Sequence, residues 1–301
     1  MGLFGFGKKE KKEDKVLQQD LSQTERPGMV FMMQLLMKEA CEMPEKEFMT
    51  EIMKKHLGDV DCFCHDDKCA GFAPQKYKIE FEKGSMPPQL MVMGCVEKDG
   101  SNIDEIARSQ MWNCPESEKI LSECKYQVFA NDMMAGFLEY KDRADMLMDF
   151  LEALMEMFPT CMAVYFHNSG KMFTREDIVN HQIPRESRFI YFAVNVRFFN
   201  IQGTNDKLVD SLGMSTLYLP DLQYHFHDMD QNWVVNHAYN MLSYIYDANC
   251  PIKSGDTIDG IENGQISQDI QWRCQYENSL IQPSREVLDV CMGKFASGTR
   301  D

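Results

Sequence analysis

No apolar run in this 301-residue chain approaches the ~18 residues that a membrane-spanning helix needs. The sequence therefore predicts no transmembrane helix and no membrane partner. Positive charge is also short: 31 Lys and Arg stand against 47 Asp and Glu, a formal charge of −16. A phosphate-backbone binder needs a basic patch or stripe, so this balance argues against nucleic acid as a partner. A secretory leader is not legible, because Leu3-Phe4-Gly5-Phe6 is too short for an apolar leader core and lysines follow it. Myristoylation at Gly2 would call for Ser or Thr at position 6, where Phe6 stands. Catalytic signatures are missing in turn. Ser169-Gly170-Lys171 has neither the upstream glycine nor the following hydroxyl residue of a phosphate-binding loop. No G-x-S-x-G elbow or H-E-x-x-H pair occurs. Gly5-Phe6-Gly7 follows no strand, so it is not a dinucleotide fingerprint.

What is present bounds the class. A hydrophobic content of 44% with 11% aromatic residues excludes general disorder. Eleven cysteines, an odd number without a repeating framework, read as reduced thiols and predict a cytoplasmic location. Residues 1–27 open with five lysines mixed with Glu10, Glu13 and Asp14, which predicts a disordered, solvated N-terminal tail. The 24 methionines fall largely in helical and strand stripes, as core filler.

Periodicity then divides the chain. Gly28 to Lys38 reads as a buried strand. Pro44 suits a first helical position, Phe48, Ile52 and Leu57 form an apolar stripe, and Gly58 suits the stop. Lys76–Phe81 and Gln89–Val96 read as strands, Ile103 to Cys124 as helix broken near Pro115, and Tyr126–Ala130 as a strand. Asp142 can cap a long helix carrying Leu147, Phe150, Leu151, Leu154, Met155 and Phe158, with Pro159 ending it.

Further strands are expected at Met162–Phe166, Phe189–Phe199, Met214–His227 and Asp269–Tyr276. Helices are expected at Arg175–Asn180 and Gln231–Asp247, with a helical turn at Asp206–Leu212 and a closing segment at Val287–Met292. Asp230 suits the N-cap of the later helix, and Val234, Ala238, Met241, Leu242 and Ile245 its inner stripe. The order predicts an α+β chain of two βαββαβ, ferredoxin-like halves, 28–140 and 141–301, a duplicated fold joined by the long helix.

The densest polar chemistry lies in Asp221-Leu222-Gln223-Tyr224-His225-Phe226-His227, which alternates without a miss. A one-sided strand would bury Leu222, Tyr224 and Phe226 and present Asp221, Gln223, His225 and His227 on an accessible face. If Phe189–Phe199 pairs with it as a hairpin, Asn195 and Arg197 join that row. Arg197 beside Asp221 could be a structural ion pair alone, and the row as a whole is either a polar pocket or a solvated sheet face. Pro220 implies an edge, a bulge or a helical start. His225, His227 and His237, with Asp221 or Asp228 beside them, are also the set that could hold zinc or iron for a metal-assisted hydrolase. No supporting spacing accompanies them and His237 needs its helix to fold back, so capping, hydrogen-bonded or solvent-facing histidines are the favoured reading. Cys62, Cys64, His65 and Cys69 crowd into eight residues, too few for the two separated knuckles of a structural zinc site, so a loop with incidental thiols is expected.

Four motifs carry a family resemblance: Asn195-Val196-Arg197-Phe198-Phe199-Asn200, Leu219-Pro220-Asp221-Leu222-Gln223-Tyr224-His225-Phe226, Val234-Val235-Asn236-His237-Ala238-Tyr239-Asn240, and Pro251-Ile252 with Gly255-Asp256-Thr257-Ile258. Over 192–261 the chain resembles the bacterial family known as domain of unknown function 4261. Trp112 through Phe166 fits it more loosely. The resemblance implies bacterial cytoplasmic proteins without an assigned reaction, so it transfers no catalytic residue. The sequence thus predicts a non-enzymatic intracellular protein that binds a protein or small polar ligand through Asn195, Arg197, Asp221, Gln223, His225, His227, Asp228 and His237. An immunity-like partner of a basic toxin is one version. The metal-assisted hydrolase is the alternative.

Overall fold

A computed structural model describes residues 30–98 and 103–298. The predicted tail, 1–27, lies outside the described residues. The chain enters as β1 (Met32–Met37), crosses through α1 (Lys46–Leu57) and returns as the hairpin β2 (Val60–His65) and β3 (Cys69–Pro74). A small two-stranded ribbon, β4 (Ile79–Phe81) and β5 (Gly84–Met86), precedes β6 (Gln89–Met93) and the short β7 (Val96–Glu97). Two helices, α2 (Glu105–Ser109) and α3 (Ser117–Glu123), lead to β8 (Tyr126–Met133) and α4 (Tyr140–Met157). After α4 come β9 (Cys161–Phe166) and β10 (Lys171–Thr174).

These strands form one antiparallel sheet in the order β10-β9-β1-β8-β6-β3-β2, with β7 also on β8. Its strands alternate as strands should. Met33 and Leu35 of β1 join the main core, while Leu36 faces the other way and packs with Ala163, Tyr165 and Met172 under α2 and α3.

The second sheet follows α5 (Arg175–Val179) and α6 (Arg188–Ala193). It comprises β11 (Asn195–Asn200), β12 (Lys207–Leu212), β13 (Asp221–Phe226), then α7 (Gln231–Ala248), β14 (Thr257–Glu262), β15 (Gln265–Asn278) and β16 (Glu286–Cys291). The order is β11-β12-β13-β16-β15-β14, with β13 and β16 parallel and the other pairs antiparallel. One apolar cluster runs through α4, α7 and both sheets. Among the described residues no helix is long and apolar enough to cross a membrane.

The class is therefore mixed α+β, and the details depart from the expected order. Each sheet has more strands than a βαββαβ unit, and the long helix α4 does not join the two sheets. After α4 the chain returns to the first sheet as β9 and β10, so the changeover lies between Thr174 and Asn195 rather than at 140/141. The stretch Phe189–Ala193 is helical instead of extended. Phe189, Phe192 and Ala193 are buried at helical spacing, and Arg188 pairs with Asp149 and Glu152 of α4. Lys207–Leu212, expected as a helical turn, is the strand β12, wedged between β11 and β13.

Helix ends also shifted. Glu139, not Asp142, caps α4, accepting the N–H of Lys141 and of Asp142, and α1 starts two residues after Pro44. Phe48 is exposed while Met49 and Met53 take the inner face of α1 with Ile52 and Leu57. Gly58 does end α1, at φ 82°, and Asp230 does cap α7 through Asn232 N–H.

Candidate functional site

β13 is buried on both faces, which its alternation alone could not show. Leu222, Tyr224 and Phe226 face the apolar core, and Asp221 and Gln223 are as deeply buried opposite them. The strand is interior to its sheet, between β12 and β16. The register sets Arg197 of β11 beside Asp210 of β12, Asp210 beside Gln223, and Gln223 beside Asp289 of β16. The polar row therefore exists, but as a cross-strand ladder with Asp210 inserted between the residues expected to be neighbours.

The segment 279–285 lies over this ladder and bonds to it. Arg197 grips Asp210 with two bonds, Nε to Oδ1 at 2.9 Å and Nη2 to Oδ2 at 2.6 Å, and donates Nη1 to the Gln282 carbonyl at 3.0 Å. Arg285 reaches Asp210 Oδ2 at 2.9 Å and Asp221 Oδ2 at 3.3 Å. Asp221 Oδ1 accepts from Ser211 Oγ at 2.9 Å and from the Met214 N–H at 3.2 Å. Gln223 donates to Asp289 at 3.1 Å and accepts the Leu280 N–H at 2.7 Å. Burial raises the Asp221 pKa above the ordinary carboxylate value, and the Arg285 charge works against that rise. These donors and acceptors are spent within the fold: Arg197, Gln223, Asp210 and Asp221 tie 279–285 to the sheet, and Ser211, Met214 and Asp289 hold Asp221 and Gln223 from within it. Asn195, at the end of β11, is buried and donates to the carbonyls of Gln110 and Ser169, each at 3.3 Å, which links it to the first sheet's loops instead.

The three histidines do not converge. His225 projects from the face opposite Tyr224, with Nε2 3.5 Å from Asp206. His227, beyond the strand, pairs with its neighbour Asp228 at 2.9 Å on the surface. His237 stands on α7 against the Tyr224 face. Its Nε2 lies 2.8 Å from the Asp259 carbonyl, which can only accept, so Nε2 carries the proton. Its Nδ1 therefore accepts a hydrogen bond from the Tyr224 hydroxyl at 3.0 Å, and burial lowers its pKa, keeping the ring neutral. Both nitrogens are used. Cys62, Cys64, His65 and Cys69 lie on β2 and at the start of β3, a hairpin where the sequence suggested a loop. His65 Nε2 lies 2.9 Å from the Pro44 carbonyl. All eleven cysteines are free thiols. Among the described residues no three His, Cys, Asp or Glu are placed to hold a metal ion.

Two further buried polar groups escaped the sequence reading. Arg143 of α4 pairs with Asp132 of β8 at 2.8 Å, both buried, and bonds the Thr216 carbonyl of the second sheet's β12–β13 connection. Lys171, fully buried, donates to the carbonyls of Tyr191 and Val194 at the end of α6, capping it with a cation among the rings of Phe173, Tyr191 and Tyr239. Burial pulls its pKa down to about 7.

A space that could admit a ligand lies elsewhere on the second sheet. An open cleft of about 760 Å³ runs between α7 and β14. His237, Asn240, Met241 and Tyr244 line its helical wall, and Thr257, Ile258 and Asp259 its strand wall; Ile252, Asp256 and Ile266 complete it. The helix residues fall at 237, 240, 241 and 244 because that spacing repeats one face of a helix. The His237–Asp259 bond fixes the helix to the strand at the cleft wall. Tyr244 and Ile266 are about half exposed, so apolar surface is on offer there beside two carboxylates.

Fold and site together define a mixed α+β protein whose second sheet ends in an open, mixed-polarity cleft beside its last strand. Residues 210–291 match the family model described as Domain of unknown function (DUF4261). The whole cleft lining, 237–266, falls within that match. No curated protein and no solved structure matches the chain.

Proposed function

We propose that this protein is a non-enzymatic binding protein whose recognition element is the cleft between α7 and β14. The observation that carries the reading is that cleft, of a volume within the ~300–1,000 Å³ usual for ligand sites, whose lining mixes Met241, Tyr244 and Ile266 with His237, Asn240, Asp256, Thr257 and Asp259. Recognition moves there from Asn195, Arg197, Asp221 and Gln223, whose polar groups are engaged within the fold. A hydrolase built on His225, His227 and His237 has little geometric support, since His225 and His237 flank opposite faces of β13. Eleven free thiols favour a reducing, cytoplasmic setting. The formal charge of −16 favours a basic protein partner, and an immunity-like role is its concrete version.

The test is a cleft-filling variant. Asn240→Trp places an indole in the opening from an exposed position on α7. A proteome and metabolite extract of the native host should raise the melting temperature of the unaltered protein and leave that of Asn240→Trp unmoved. Equal shifts in both, or none in either, would remove the cleft from consideration.

A further inference from the structure

We propose that the cleft receives an extended, cation-bearing peptide segment of a partner protein, laid along the outer edge of β14; this rests on the binding reading above. Among the described residues β14 is the terminal strand of its sheet and pairs only with β15. Hydrogen bonds alternate sides along an antiparallel strand. The Asp256 carbonyl accepts the Cys274 N–H at 2.8 Å, so that carbonyl points inward, and the alternation turns the backbone of 257 and 259 outward. Asp259 obeys this, since its carbonyl meets His237 on the outer side. Thr257 comes next along the same edge, is exposed, and lines the cleft opposite Asn240 and Tyr244. With the Asp259 carbonyl taken by His237, the outward backbone at Thr257 is the part of the edge left to pair with an added strand, and the helix beside it supplies the second wall of a peptide groove.

The side chains say which peptide. Asp256 and Asp259 are the charged residues of the lining, and no Lys or Arg stands among them. One oxygen of Asp256 accepts the Lys253 N–H at 2.7 Å and one of Asp259 accepts Gln271 Nε2 at 2.8 Å, which leaves each carboxylate a second oxygen for a ligand. The half-exposed Tyr244 ring adds a face that attracts a cation. The half-exposed Ile266 suits an apolar residue that alternates with such a cation on an extended chain. The chain's large negative charge would speed the approach of a basic partner. An acidic segment would meet repulsion at the same place.

The probes are end-blocked, fluorescein-labelled heptapeptides of alternating Val and Thr, with Lys or Arg stepped through each position, and matched peptides with Gln there. Fluorescence anisotropy at about 150 mM salt, where the Debye length is about 8 Å, suppresses diffuse attraction. Lys or Arg peptides should bind at least about tenfold tighter than their Gln partners, and Asp256→Asn with Asp259→Asn should erase that preference. The Thr257 amide should gain protection from hydrogen exchange when the peptide binds.

Several results overturn the proposal: no Lys or Arg peptide binding, a preference that survives both Asn substitutions, or an unprotected Thr257. So does Thr257 protection in peptide-free protein, whether lost on deleting residues 1–29 or growing with protein concentration, because the chain itself or a second copy is then the occupant. Equal binding of Lys and Gln peptides, with Thr257 protected, ends the cationic assignment while leaving the cleft as a binding site. The Asn240→Trp result decides that broader reading separately.

Discussion

Arg285→Met is the sharpest probe of the ladder beneath residues 279–285. The guanidinium is nine-tenths buried and bridges Asp210 and Asp221, both fully buried. Its removal leaves Asp210 with Arg197, but leaves Asp221 only Ser211 and the Met214 N–H. Breaking a buried ion pair from one side costs about 3–5 kcal/mol, because an uncompensated charge stays behind. The low end, about 3 kcal/mol, is expected here, since Asp210 keeps a partner and Asp221 keeps two donors.

The pH dependence follows from Asp221. Burial already raises its folded pKa, and losing Arg285 removes the main influence holding it down. A carboxyl whose folded pKa lies above its unfolded value of about 3.9 destabilises once the pH exceeds that value, fully so above the folded pKa. The loss in Arg285→Met should therefore be greatest at high pH and shrink as the pH falls toward the unfolded carboxylate value, as Asp221 in the variant gains its proton. Asp221→Asn in the same chain should recover much of it. Urea unfolding followed by circular dichroism at pH 5 and 8 measures all of this. A cost below about 1 kcal/mol at pH 8, or one independent of pH, would refute the buried-charge reasoning.

Three other substitutions test neighbouring parts of the account. Tyr224→Phe strips His237 Nδ1 of its donor and should cost about 1–3 kcal/mol in urea unfolding, while nitrogen NMR still shows the proton on Nε2; a neutral effect would contradict the assigned tautomer. Phe226→Ala should open a cavity costing about 3–5 kcal/mol, and His227→Ala should stay within about 0.5 kcal/mol; thermal melts with equal losses would contradict the burial difference between them. Lys171, with its pKa held at about 7 against about 10.4 unfolded, binds fewer protons in the folded chain between those values, so it makes stability rise with pH across that window. Lys171→Met should flatten the rise in urea midpoint from pH 7 to 9, and parallel curves for the two proteins would refute it.

Elements with a strong period were legible from residues alone. The stripe Val234, Ala238, Met241, Leu242 and Ile245 is the buried face of α7, and Leu147 through Phe158 lie within or just after α4 as expected. Short apolar runs were not, because Phe189–Ala193 fits either period and its partner Asp149 is 39 residues away from Arg188 in sequence. The polar row was legible as composition and misread as surface. Alternation says which residues share a face, and it cannot say whether a distant segment such as 279–285 covers that face. Asp210 escaped because its segment read as a turn, and Arg285 because it sits in a loop. The cleft was missed with β14, whose Gly255-Asp256-Thr257 start looks like a turn and whose pairing to β15 only the tertiary structure reveals.

Photo-crosslinking in the native host separates the two faces most directly. A benzophenone amino acid replaces Tyr244 in the cleft in one strain and His227 at the end of the sequence-predicted row in another. The account expects a discrete adduct from position 244 that disappears with Asn240→Trp, and none from position 227. A discrete adduct from position 227 with none from 244 would contradict it, and would return recognition to the polar row of Asp221, Gln223, His225 and His227.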